Sequence, residues 1–166
     1  DLTIAALKSG LTNVATINSG CGEFYGSWEG LGVDPTGHSL GHLSMTSDIW
    51  TRIRQYNMRM LSKLVKALEE TPEGNGTMMD NTLIVYTSKN ADKQNTNGAS
   101  WPVMTLGNFG STMQEGHYVK IENDRPINSF YATLLEAGGS PVEHFNLGGA
   151  YEKYDTGKGP LRELLA

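Results

Sequence analysis

The sequence predicts an α/β fold in which a mostly parallel sheet is sandwiched by helices, and three observations carry that expectation. Periodic segments run in the order helix, strand, helix, strand, strand, helix, the pattern of a layered α/β architecture. Thr82-Leu83-Ile84-Val85-Tyr86 is an unbroken apolar run of the kind found in a central strand covered on both faces. Two long loops, 18–46 and 87–101, follow strands, and in such sheets ligands collect at the carboxyl ends of the strands.

Residues 1–9 read as a helix, with Ile4, Ala5 and Leu7 apolar and Gly10 placed to end it. Asn13-Val14-Ala15-Thr16-Ile17 is short and β-prone, stopped by the polar cluster Asn18-Ser19-Gly20, and is expected to be a buried strand. From residue 48 to 71, Ile49, Ile53, Tyr56, Met60, Leu64 and Leu68 recur at steps of three and four, which makes a long amphipathic helix. Ser47 can cap its start and Pro72 stops it. A polar turn at 72–76 leads to the central strand. Pro102-Val103-Met104-Thr105-Leu106 is a further strand with proline at its first position. Residues 117–121 are expected as a short strand, 126–137 as a helix ended by Gly138-Gly139, and 161–165 as a short helix.

Length and charge bound the function. The 166 residues suit one α/β domain, or the C-terminal portion of a larger one, since the helix signal begins at residue 1. Thirteen Lys and Arg against eighteen Asp and Glu leave a net charge of −5, which disfavours binding to a nucleic-acid backbone. Mean hydropathy is −0.37, and no apolar run approaches the ~18 residues that span a bilayer. A single cysteine, Cys21, excludes an internal disulfide and a thiolate zinc knuckle. Twenty glycines, about 12% against a usual ~7%, mark the long loops.

The chemistry is concentrated in Gly37-His38-Ser39-Leu40-Gly41-His42. His38 and His42 stand four apart, a spacing at which two imidazoles converge on one metal or anion if the segment coils. Zinc needs at least one further ligand, and Asp92, after the central strand, is the candidate by position. The plainer alternative has one histidine capping a turn and the other simply exposed. The same residues fit a G-x-S-x-G nucleophile elbow with Ser39 as nucleophile, but that motif needs a strand running in and a helix running out. Gly30-Leu31-Gly32-Val33-Asp34-Pro35 is no core strand. His117 is a further candidate, against the alternative of a surface polar residue. Tyr25 and Trp28 either wall a ring-binding site or fold the loop back onto the domain. Asn75-Gly76-Thr77 fits a glycosylation sequon and is equally a plain turn.

Several stretches together resemble the C-terminal part of the bacterial HXXSHH-motif family of secreted proteins, itself similar to the sulfatase-like branch of the alkaline phosphatase superfamily. They are residues 7–17, the His38 to His42 segment, Leu68-Glu69-Glu70-Thr71-Pro72-Glu73-Gly74, Gly76-Thr77-Met78-Met79-Asp80-Asn81-Thr82-Leu83-Ile84-Val85-Tyr86, 102–107, Glu115-Gly116-His117 and 134–145. The family motif falls on His38-Ser39-Leu40-Gly41-His42-Leu43, keeping two histidines and replacing the serine by Gly41 and the last histidine by Leu43. After the central strand Asp92 is kept, while the expected histidines fall near Thr96 and Gly98. The resemblance implies an alkaline-phosphatase-like fold, a periplasmic or extracellular location, and His38, His42 and Asp92 as ligands of zinc or another divalent metal. It also implies a nucleophile supplied by polypeptide outside this chain. Lys89 and Lys93 put positive charge where a cation would sit and could replace it against an anion.

Two functions follow as expectations. One is a divergent, metal-dependent phosphate- or sulfate-ester hydrolase with a degenerate site. The other is a non-catalytic binding or structural subunit of a secreted or surface assembly, whose partner is the remaining N-terminal part of the domain or another protein chain. A serine hydrolase acting through Ser39 is a distant third.

Overall fold

A computed structural model describes residues 1–19, 28–34, 39–40, 42–43, 47–88, 100–123, 125–145, 148–149, 153 and 157–166. These divide into two compact units, Asp1–Met78 with Thr87–Val103, and Met79–Tyr86 with Met104–Ala166.

The first unit is built on two helices, α1 (Leu2–Lys8) and α2 (Asp48–Glu69). The Ser47 side chain accepts from the Ile49 N–H at 3.3 Å, satisfying one of the free amides that open α2. Val33, Leu40 and Ile53 form a small buried core, against which Trp28, Leu31, Leu43, Ile49 and Trp50 pack. A 3-10 turn at Glu29–Leu31 and a Trp28–Val33 bridge fold the chain over this core, with the Trp28 and Tyr56 rings edge to face at 6.0 Å. Lys63 of α2 pairs with Asp1 at the head of α1. After α2 comes a hairpin of β1 (Pro72–Glu73) and β2 (Gly76–Thr77), antiparallel, with Pro72 opposite Thr77 and Glu73 opposite Gly76. The two-residue tip needs a positive φ at its first position, and Gly74 supplies φ 57. The sequence shows this segment only as a polar turn, because two-residue strands carry no legible alternation.

In the second unit α3 (Ile127–Ala137) follows Pro126 and buries Asn128, Ser129, Phe130, Ala132, Thr133 and Ala137. The C-terminal residues are tied to it by polar contacts. Thr133 donates to the Ser129 carbonyl and accepts from the Leu161 N–H, both at 2.7 Å. One Arg125 nitrogen donates to Ser129 Oγ at 3.0 Å and to the carbonyls of Lys158 and Gly159 at 2.9 Å. Beyond a 3-10 turn at Arg162–Leu164, Leu165 bridges Met113, and Gln114 N–H donates to the Leu164 carbonyl at 2.9 Å.

The expected parallel sheet is contradicted. The two remaining strands, β3 (Ile84–Thr87) and β4 (Val103–Leu106), form a sheet of two, and the described residues hold only two small antiparallel two-stranded sheets. Thr87 Oγ1 donates to the Pro102 carbonyl at 3.0 Å, and Gly107 lies against the Thr82 carbonyl. The end of β3 therefore meets the start of β4, and the chain doubles back. Parallel pairing needs a crossover, usually a helix, packed on a sheet face, and no such layer stands among the described residues. The run expected to be covered on both faces is nowhere fully buried, and within β3 half-buried and exposed residues alternate, with Val85 36% exposed. An alkaline-phosphatase-like sandwich of helices around a parallel sheet is thus not the architecture of this structure.

Two further expectations are corrected. Residues 13–17 form no strand and are exposed throughout. Residues 117–121 likewise carry no strand.

Candidate functional site

The segment richest in candidate chemistry is anchored by one apolar side chain. Leu40 is buried in the Val33–Ile53 core, and around it the backbone takes a helical turn. His42 N–H donates to the Ser39 carbonyl at 3.3 Å and Leu43 N–H to the Leu40 carbonyl at 3.1 Å. Ser39 and His42 are exposed on this turn. His38 itself lies outside the described residues, as do Asp92, Lys89 and Lys93. Of the expected metal ligands, only His42 has a described position, and no group of three metal-ligating side chains occurs among the described residues. The described residues alone do not compose a zinc site.

The base of the loop that carries Asp92 is described. Trp101 Nε1 donates to the Ser88 carbonyl at 2.6 Å and to Thr87 Oγ1 at 3.1 Å, drawing the two ends of the loop together. His117 belongs to the second unit, exposed after Gly116 at φ 73. Before Ser39, the described residues 28–34 make a 3-10 turn and a bridge rather than the strand of a nucleophile elbow.

The seam between α1 and α2 holds an open groove of about 500 Å³ lined by Ile4, Ala5, Lys8, Lys63 and Ala67 among others. Two of its lysines are paired, Lys63 with Asp1 and Lys66 with Glu70 at 3.8 Å.

Sequence reasoning missed a feature at the end of α1. Leu11 is 82% exposed, Val14 80% and Ile17 65%. The stretch is fixed at both ends, by α1 and by Ser19 Oγ, which donates to Asn57 Oδ1 of α2 at 2.6 Å. The β propensity of residues 13–17 is legible, but propensity does not say where a strand's partner lies.

No described helix is long and apolar enough to cross a membrane. No family model, curated protein or solved structure matches the chain.

Proposed function

We propose that this chain acts as a binding or structural subunit whose apolar surface is completed by other polypeptide, whether a continuation of the same protein or a separate chain. The observation that carries this reading is the exposure of Leu11, Val14 and Ile17 in one uncharged stretch. Covering these side chains removes apolar surface from water, which is favourable at roughly 25 cal/mol per Å². Val85 of β3, 36% exposed, adds to this apolar surface. The reading is tested with a dye that fluoresces on apolar surfaces. The folded chain should bind it, and Val14→Ser with Ile17→Ser should lower that binding several-fold at unchanged helix content. Absence of binding by the parent chain contradicts the reading.

A second reading is favoured by the helical turn around Leu40. If His38 continues that turn, two imidazoles share a side of it, as a divalent metal requires, and a metal-dependent phosphate- or sulfate-ester hydrolase stands as the alternative. Metal analysis of protein purified without chelator tests it. About one zinc or similar ion per chain, lost in His38→Ala and in His42→Ala, supports a metal site. A metal-free parent that takes up none on titration rejects it.

A further inference from the structure

We propose that Asn75, at the tip of the β1–β2 hairpin, is a site of spontaneous covalent modification, its side-chain amide converting to a carboxylate through attack by the Gly76 backbone nitrogen. An asparagine followed by glycine sets an amide carbon beside the next backbone nitrogen, and glycine brings no side chain to block the approach. This chain carries that pair where nothing shields it. Residues 72–76 are all exposed, and a Cβ built on Gly74 would meet no atom within 4 Å. The Asn75 side chain makes no hydrogen bond among the described residues, so its amide is not held away from the backbone.

Loss of the Gly76 N–H proton to solvent base leaves a nitrogen that adds to Asn75 Cγ. The bond from Cγ to the side-chain nitrogen breaks, that group takes a proton from water and leaves as ammonia, and Asn75 and Gly76 then share a cyclic imide. Water opens the ring at either carbonyl, giving aspartate or isoaspartate. One water is consumed and one ammonia released, with no other reactant. In the closed hairpin Gly76 faces Glu73 in the pair next to the two-residue tip, where the backbone groups bond across the ribbon, so ring closure requires the tip to open. Each strand has only two residues, and so short a ribbon opens at small cost. Hairpin opening therefore paces the reaction. The product adds a negative charge to a segment that already holds Glu69, Glu70 and Glu73, and isoaspartate lengthens the backbone of a tip whose geometry is set by its two residues.

Incubation of the full chain at mildly alkaline pH, with tryptic peptide mapping by mass spectrometry, tests this. Asn75 falls in the peptide 67–89 and the other Asn-Gly pair, Asn97-Gly98, in 94–120, so the two are read apart. The 67–89 peptide should gain the mass of an amide-to-acid exchange at Asn75 and split into two isomers, faster as pH rises and several-fold slower than a synthetic peptide of residues 71–79. Gly76 has no positive φ and is exposed, so Gly76→Val is compatible with the fold, and its branched side chain should slow conversion tenfold or more. Asn75 left intact in the folded chain while the synthetic peptide converts overturns the site, and an unreactive synthetic peptide overturns the chemistry. A rate unchanged in Gly76→Val overturns attack by the Gly76 nitrogen, and equal rates in folded chain and peptide overturn pacing by the hairpin.

Discussion

Gly107 shows how much one residue can fix. Its φ is 85, and a Cβ placed there would stand 2.3 Å from the Thr82 carbonyl oxygen. Both the left-handed backbone and the close approach demand glycine. Gly107→Ala should destabilise the second unit by about 2–4 kcal/mol, read as a lower denaturation midpoint. Thr133 is a second such position. It is fully buried, and its hydroxyl is the partner of the Leu161 N–H. Thr133→Val keeps the shape and strands that N–H, so the cost should be about 1–3 kcal/mol, with faster hydrogen exchange at Leu161 as the local sign. Neither role is legible from sequence, because each depends on a chain segment more than twenty residues away. His42 is different. Its spacing from His38 is readable in Gly37-His38-Ser39-Leu40-Gly41-His42, and the burial of Leu40 that anchors it is not.

At the scale of elements, local patterns were read well and pairings were not. The long helix α2 lies within two residues of its expected span, because its period, the Ser47 cap and Pro72 are local signals. Ser47→Ala should cost about 1 kcal/mol of stability, measured by thermal or urea unfolding, as loss of a cap does. α3 and β4 also fall where expected. For β3 the existence of a strand was legible, and its place in a sheet was not. An apolar run in sequence does not distinguish a central parallel strand from one half of a hairpin, and the fold expectation failed at that step. Residues 13–17 failed too, since β propensity is legible in the sequence and they nevertheless form no strand. The candidate site was legible only as residue types. The described structure places His42 and His117 in different units and leaves Asp92 outside what it describes.

For the whole molecule, the buried apolar set is small. Among the described residues Val33, Leu40, Ile53 and Leu68 serve the first unit, and Met113, Phe130, Ala132, Ala137 and Leu161 the second. An equal number of large apolar side chains is exposed, Leu2, Leu11, Val14, Ile17 and Phe145 among them. Hydrophobic burial is the main favourable contribution to folding, at roughly 25 cal/mol per Å², and a chain that leaves this much apolar surface open gains stability by covering it.

Hydrogen exchange across residues 11–19, followed by mass spectrometry as the protein is diluted, tests the central claim most directly. The account predicts amides that exchange freely in the dilute chain. Strong protection that persists at the lowest concentration would contradict it, because these residues would then be buried within their own chain.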